Sequence, residues 1–392
     1  MVATISSADE AIRTAAALSA HFAEGAAERD ARRQLPRAEL DALTASGLLA
    51  ITVPAEHGGA DLPWTAVLEV FRLLAAGDSN IAHIPQNHFA YVNVLRDRGD
   101  ADQRKFFFAE VLAGRRFGNA QSERGTRHAQ DYQTRLRRDG GWFVLDGVKH
   151  YATGALFAHW IPVLAKDEDD RLVVAFIPSD APGLRVLDDW DGMGQRTTAS
   201  GTVELTGVMV PPEHVVPHHL TFTGPQLHGA RAQAIHAAID VGIARAALDE
   251  TAEFVRRHSR PWAEARVERA TDDPLTIQRF GELEVQVRAA ESLLRTAGTA
   301  LDDAAGELTD SSAAAASIAV ATAKAFAEPT ALAAGSAVFE LSGTRAAAEG
   351  LNLHRHWRNA RTHTLHDPVR WKVQHIGQYA LNGTAPPRHG LI

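Results

Sequence analysis

The stretch Asp139-Gly140-Gly141-Trp142-Phe143-Val144-Leu145-Asp146-Gly147-Val148-Lys149 decides the fold class, because turn residues are followed by alternating β-prone and polar residues. Further β-rich runs follow at 160–165, 172–177 and 202–210, and residues 167–170 form a polar hairpin turn. Several short strands with no helical pattern between them predict an antiparallel sheet or barrel in the middle of the chain.

The residues before this region have the punctuation of helices. Pro36 and Pro63 stand where first helical turns begin, and Gly47 and Gly77 stand where those helices stop. Asp78 can cap the next helix, which is expected to run to about residue 99. A helical N-terminal domain is therefore predicted over residues 1–114.

Helical periodicity returns after the strands. Apolar stripes at helical spacing cover 235–246 and 277–294, and an Ala-rich run covers 313–327. The chain is thus predicted to be α+β, with a central β-domain at 115–225 and a C-terminal helical domain at 226–392.

Composition excludes several classes of protein. The chain has 392 residues, 45% hydrophobic and 22% charged, and no Cys, so iron–sulfur clusters, cysteine zinc sites and cysteine nucleophiles are excluded. Its 40 basic and 48 acidic residues give a net charge of −8, without the basic cluster of a nucleic-acid-binding protein. No apolar run approaches the roughly 18 residues that span a bilayer, and no secretory signal is evident, so a cytoplasmic protein is expected.

Common nucleotide-binding and hydrolase motifs are missing from the sequence. There is no P-loop, no nucleophile elbow, and Gly192-Met193-Gly194 lacks the third glycine of a dinucleotide fingerprint. If the protein performs redox chemistry, its electrons must come from a source other than a nicotinamide bound to this chain.

Histidines are the most conspicuous candidates for chemistry, with 19 in the chain. His363 and His366 are three residues apart and would share a helix face. Metal binding, proton transfer to an oxygen-bearing group and a purely structural place all remain open, and we expect no metal because no third ligand stands at a matching spacing. His83 and His88 flank Pro85, which should break their helix.

A second set of polar residues lies at the helix-to-sheet transition. Asn119 and Gln121 offer donors and acceptors suited to the edge of a heterocycle, and Ser122 adjoins them. The Thr153 hydroxyl would project from a strand end, and Trp190 could pack against an aromatic cofactor. Capped turns and barrel packing explain the same residues without a ligand.

The order of these segments resembles the acyl-CoA dehydrogenase fold, which has a helical domain, a β-barrel domain and a four-helix bundle. Within it, the sequence is most similar to the dibenzothiophene monooxygenase branch and to its SfnB-type sulfur acquisition oxidoreductases. The segments that carry the resemblance are 117–123, 149–154, 194–202, 208–211, 259–262, 272–277, 358–369 and 381–383.

The resemblance implies roles for individual residues. His363 and His366 would lie beside the flavin and oxygen site, with Thr153 as the hydroxyl near the flavin and His83 on the substrate side. Asn87 stands where the desulfurization enzyme has a tyrosine, so a smaller or more polar substrate is expected, with His88 beside it. The implied flavin contacts are Asn119, Gln121, Ser122, Trp190, Ser200, Arg260 (as phosphate ligand) and Arg361.

The function implied is a two-component monooxygenase. A separate NAD(P)H-dependent flavin reductase would supply diffusible reduced FMN, and Thr153, His363 and His366 would shelter the flavin hydroperoxide formed with O2. The substrate would be a small organosulfur compound of the sulfone, sulfonate or thiophene type, and the assembly a homotetramer. The alternatives are an acyl-CoA dehydrogenase with tightly bound FAD and Asp367 as base, or a flavin-binding scaffold without turnover.

Overall fold

The computed structural model describes residues 2–392, with helices at both ends of the chain and strands between them. Pro36 and Pro63 each directly precede a helix, and the Asp78 side chain accepts a hydrogen bond from the backbone N of Asn80 at 3.0 Å. These predicted helix starts are confirmed. The N-terminal helices are α1 (Ala8–Ala23), α2 (Ala26–Arg32), α3 (Arg37–Ala45), α4 (Trp64–Gly77), α5 (Ser79–His83), α6 (Gln86–Arg98) and α7 (Ala101–Leu112).

The helix expected from Asp78 to about residue 99 is divided into α5 and α6. Pro85 lies at the division, because its ring nitrogen has no hydrogen to donate to the preceding turn. His83 is therefore the last residue of a short buried helix, and its ring contacts the side chain of Gln195.

The middle of the chain forms one seven-stranded sheet, in which the four predicted strands are confirmed to within a residue at each end. The strands are β1 (Arg135–Asp139), β2 (Trp142–Lys149), β3 (Trp160–Lys166), β4 (Leu172–Pro178), β5 (Leu184–Val186), β6 (Val203–Val210) and β7 (Val215–Val216). Their order is β5-β6-β2-β1-β3-β4-β7. All neighbours are antiparallel except β1 and β3, which meet at a single parallel pair. Because β5 and β7 lie at the two edges of this order, closure into a barrel stays a prediction.

The C-terminal helices are α8 (His228–His258), α9 (Pro274–Gly306), α10 (Asp310–Ser342), α11 (Arg355–His363) and α12 (Val369–Asn382). Helix α8 is the centre of the molecule: it packs against α4 on one side and α9 and α10 on another, and most of its first half is buried. Gly242 permits the approach of α4, because a Cβ there would lie 2.6 Å from the backbone O of Arg72. Helix α12 packs on α10, and the expected four-helix bundle stays a prediction.

This arrangement brings four distant parts of the chain together. The end of α5, the first half of α8, the end of α11 and the loop between β5 and β6 meet beside the sheet. None of the helices within residues 2–392 is long and apolar enough to cross a membrane.

Candidate active site

A cavity of about 510 Å³ lies between the sheet, helices α6 and α8, and the C-terminal tail. Its volume falls within the roughly 300–1,000 Å³ of small-molecule sites. The predicted residues on its wall are Asn87, Asn119, Gln121, Ser122, Thr153, His366 and Asp367, the last of which is the alternative base. The fold therefore brings the predicted polar segment, the predicted hydroxyl and a predicted imidazole to one cavity.

Main-chain pairing with β3 places the polar wall formed by residues 119–122. Phe117 pairs with Trp160 and Ala120 pairs with Val163 in isolated parallel bridges, so residues 117–120 run alongside β3. Asn119 lies within this segment and lines the cavity, and its Oδ1 accepts a hydrogen bond from the Tyr91 hydroxyl at 3.3 Å. Successive carbonyl, amide and hydroxyl groups suit the edge of a planar heterocycle such as a flavin.

The Thr153 hydroxyl is the outer end of a chain of three hydroxyls. Beyond β2 the backbone turns sharply, with positive φ at Tyr151, so that Thr153 reaches the cavity. Thr153 Oγ1 lies 2.7 Å from Ser200 Oγ, which lies 2.7 Å from Thr198 Oγ1. Thr198 Oγ1 donates to the backbone O of Gln195 at 2.9 Å. The hydroxyl at the cavity is thus connected to a buried carbonyl.

Four imidazoles form a compact cluster next to this wall. They are His83, His236, His363 and His366, and one ring nitrogen of each lies within 4.8 Å of those of the others. His366 Nδ1 donates to the backbone O of His363 at 2.6 Å, and His83 Nδ1 lies 3.2 Å from Gln195 Oε1. The ring of His366 opens into the cavity, whereas His83 and His363 are buried behind it.

His236 and Asp240 were not predicted from the sequence. Asp240 Oδ1 accepts a hydrogen bond from His363 Nδ1 at 2.6 Å, and His363 Nε2 lies 3.1 Å from His236 Nδ1. His236 lines the cavity, while Asp240 and His363 are fully buried. One signal was available: both residues lie in α8, four apart, and so place a polar pair beside the apolar stripe that was predicted there.

The pKa values of three rings in the cluster are lowered, which favours their neutral form. Burial lowers the pKa of His83 and of His236 well below the ordinary value, and neighbouring imidazoles lower both further. Part of the His366 ring faces the cavity, yet the enclosing protein desolvates it and lowers its pKa to about 4. The spacing would also suit a transition-metal ion, although both nitrogens of His363 already contact protein groups. The expectation of no metal stays a prediction.

Asp367, the alternative catalytic base, lies between two lysines. Its carboxyl oxygens are 3.7 Å from Lys324 Nζ and 3.5 Å from Lys372 Nζ. Burial acts to raise the pKa of Asp367, but the two ammonium groups outweigh it and the pKa is lowered. A carboxylate with a lowered pKa has less affinity for a substrate proton, which disfavours the dehydrogenase alternative.

The remaining predicted residues lie off the cavity wall. His88 is buried, and its two nitrogens bond to the backbone O of Leu49 and the backbone N of Phe117. Both ring nitrogens of His88 are thus occupied by the backbone, and its predicted contact with substrate stays a prediction. Residues behind or away from the wall are Trp190 (whose Nε1 donates to Gln195 O at 2.8 Å), Ser200, Arg260 (exposed) and Arg361.

Comparison with known families gives matches along most of the chain. The N-terminal domain of acyl-CoA dehydrogenase matches residues 7–115, the middle domain matches 119–208, and the C-terminal domain matches 234–371. Among proteins of known activity, dibenzothiophene monooxygenase of Rhodococcus erythropolis is 33% identical over 396 residues, covering 96% of this chain and 94% of that protein.

Two solved structures have the same fold throughout. FMN-bound TdsC of Paenibacillus sp. A11-2 is 31% identical with a TM-score of 0.92, covering 97% of this chain and 100% of that one. Methanesulfinate monooxygenase MsuC of Pseudomonas fluorescens is 32% identical with a TM-score of 0.90, covering 97% and 99%. The chain therefore belongs to the acyl-CoA dehydrogenase family, in the branch that contains the dibenzothiophene monooxygenases.

Proposed function

We propose that this protein is a flavin-dependent monooxygenase that oxidises a small organosulfur compound in sulfur metabolism. The observation that carries the proposal is the cluster of four imidazoles beside a cavity whose polar wall suits the edge of a flavin. It occurs in a chain similar over almost its whole length to two named monooxygenases of sulfur compounds.

Reduced FMN is the proposed cofactor, and FAD is the alternative. Asn119, Gln121, Ser122 and Thr153 would hold its ring system, and the amide and hydroxyl donors and acceptors on this wall fit that role. When bound, the reduced flavin supplies two electrons, so that one atom of O2 reaches sulfur or an adjacent carbon and the other becomes water. A separate NAD(P)H-dependent reductase would provide it, since the chain has no dinucleotide fingerprint. Arg260 and Arg361 remain proposed flavin ligands on resemblance alone.

The histidines of the cluster would accept and donate protons during the reaction. A neutral imidazole accepts a proton at one nitrogen while its other nitrogen stays bonded, and here His366 and His236 present such a nitrogen to the cavity. Burial of His83 and His363 behind them limits the water that reaches the reacting atoms. His83 is proposed to orient this side of the cavity through Gln195.

The substrate is proposed to be small, of the sulfone, sulfonate or thiophene type. Asn87 lines the cavity, at the position where the resemblance gives the desulfurization enzyme a tyrosine, and this difference favours a substrate smaller or more polar than a bulky aromatic sulfur compound. Known substrates in the branch differ in size in the same way, since the named relatives act on dibenzothiophene and on methanesulfinate.

The test is reconstitution with limiting reduced FMN, protein in excess, O2 and a panel of sulfones, sulfonates, sulfinates and thiophenes. We expect an oxygenated product from at least one compound, with little hydrogen peroxide released. His366→Gln should lower product formation by about 10²-fold or more and release peroxide instead. His258→Gln, at the exposed end of α8, is the matched control and should behave as wild type. Oxidation of an acyl-CoA, with no oxygenation of any sulfur compound, would replace this proposal with the dehydrogenase.

Assembly and location are proposed on the resemblance. We propose a cytoplasmic homotetramer, with domains at 1–114, 115–225 and 226–392, the second closing as a barrel and the third as a four-helix bundle. Apolar side chains exposed on α9 and α12 support an interface: Leu275, Ile277 and Val285 on α9, and Trp371, Val373 and Leu381 on α12. Light scattering after gel filtration would measure the mass, and a monomer would contradict the tetramer.

A further inference from the structure

We propose that Ser200 and Thr198 fix Thr153 as a hydrogen-bond acceptor toward the cavity, so that the site prefers reduced to oxidised flavin. This inference rests on the proposed function, because it takes the cavity as the flavin site. Ser200 and Thr198 are positioning residues that act through Thr153, and together they determine which redox state of the flavin binds more tightly.

The direction of the hydroxyl chain follows from its inner end. A backbone carbonyl can only accept, so the contact between Thr198 Oγ1 and Gln195 O at 2.9 Å requires the Thr198 proton. Ser200 must then donate to Thr198, and Thr153 must donate to Ser200, for both 2.7 Å contacts to be hydrogen bonds. Thr153 consequently has only lone pairs left for the cavity.

The opposite direction would have one hydrogen bond fewer. If Thr198 donated to Ser200 and Ser200 to Thr153, the oxygens of Thr198 and Gln195 would face each other without a proton between them. All four residues are buried, with exposed fractions from 0% to 6%, so water does not compensate. Gln195 itself is held firmly, because its backbone N donates to Asn359 Oδ1 at 2.7 Å.

A histidine that reaches the same cavity has the same polarity. His366 donates from Nδ1 to the backbone O of His363, which leaves Nε2 of the neutral ring as an acceptor. Thr153 and His366 therefore both present lone pairs to one cavity.

Such a wall discriminates between the two forms of a flavin. Reduction adds N–H groups to ring nitrogens that carry lone pairs in the oxidised ring. Acceptors on the protein would match the N–H groups of the reduced ring, whereas a hydrogen bond to a lone pair of the oxidised ring would require Thr153 to give up its donation to Ser200. One hydrogen bond changes a dissociation constant by about tenfold, so we expect reduced FMN to bind at least about tenfold tighter than oxidised FMN.

The experiment compares dissociation constants of oxidised and dithionite-reduced FMN, measured without oxygen on the purified full-length protein. Thr198→Val frees the Ser200 proton to point toward Thr153, and the preference for reduced FMN should fall about tenfold. The midpoint potential of bound FMN should move down by about 30 mV, as expected for a two-electron couple. Ser200→Ala breaks the chain in the middle and should change the ratio in the same direction.

The matched control is Thr197→Val. Thr197 is as buried as Thr198, and its Oγ1 has no hydrogen-bond partner in the described residues, so its loss leaves the chain intact. Its ratio of dissociation constants should equal that of wild type. Equal ratios in wild type, Thr198→Val and Ser200→Ala would overturn the relay while leaving the proposed function in place. Failure of wild type to bind either FMN or FAD, oxidised or reduced, would overturn the proposed function itself.

Discussion

Replacing Glu328 by glutamine tests the buried charge cluster behind the cavity. Glu328 lies in α10 with a side chain only 5% exposed, 3.5 Å from Lys324 Nζ. Burial raises its pKa to about 7, against the opposing attraction of Lys324, while Asp240 and Asp367 raise the pKa further. The folded protein therefore binds a proton at Glu328 that the unfolded chain, with a pKa near 4.5, releases.

The sign and size of the effect follow from this difference. Because the folded state holds the proton more tightly, wild-type stability falls as pH rises from about 4.5 to about 7 and then levels off. At about 1.4 kcal/mol per pH unit, the raised pKa corresponds to roughly 3 kcal/mol. Glu328→Gln resembles the protonated form at every pH, so relative to wild type it should gain about 3 kcal/mol between about pH 5 and about pH 8.5.

Urea unfolding followed by circular dichroism across that pH range measures the difference. Glu340→Gln is the control in the same helix, because Glu340 is 53% exposed and its ion pair with Arg279 should contribute less than about 1 kcal/mol. Parallel pH profiles for wild type and Glu328→Gln would refute the reasoning, since they would mean that Glu328 is ionised as readily in the folded as in the unfolded chain.

Three further predictions concern the site and its support. Asn87→Tyr adds a ring to the cavity wall and should raise the ratio of kcat/KM for aromatic thiophenes over small sulfinates about tenfold, in steady-state assays with the reductase. Gly194→Ala places a Cβ 2.0 Å from the backbone O of Arg358 and should cost about 1–3 kcal/mol in urea unfolding, whereas Gly350→Ala, which meets nothing within 4 Å, should cost less. Burial opposes ionisation of Glu250, but His356 and Arg355 lower its pKa to about 2. Glu250→Gln should therefore lose about 1–2 kcal/mol near pH 7, after discounting for the 34% exposure of the side chain, and the loss should shrink as pH falls from about 4.5 toward 2. A loss that is constant with pH would contradict this assignment.

Sequence patterns between close neighbours predicted most helices and strands, whereas contacts between distant segments were not predicted. Proline and glycine at helix ends and alternation in strands act between close neighbours, so Pro36, Pro63 and the strand at 142–149 were assigned from the sequence. The parallel contact of β1 with β3 depends on how distant segments pack, and no local pattern encodes it.

The same distinction holds for the site. His363 and His366 stand in a motif, whereas His236 and Asp240 are separated from them by more than a hundred residues and are recognised only when α8 and α11 are in contact. Their neighbours Ile235 and Ile239 indicated only a buried helix face. Hydroxyl direction along Thr198 and Ser200 likewise requires distances, because the residue types alone permit either direction.

Gln195 has a consequence for the order of folding. Its backbone and side chain contact α5 through His83 and Ser79, and α11 through Asn359, across separations of more than a hundred residues. Contacts that close such large loops form late, after the local helices and hairpins. A chain still emerging from the ribosome would thus carry folded helices but no functional pocket until residues beyond His354 had docked. Until then the cavity would lack His363 and His366, so the nascent chain could not yet support the proposed reaction of reduced FMN with O2.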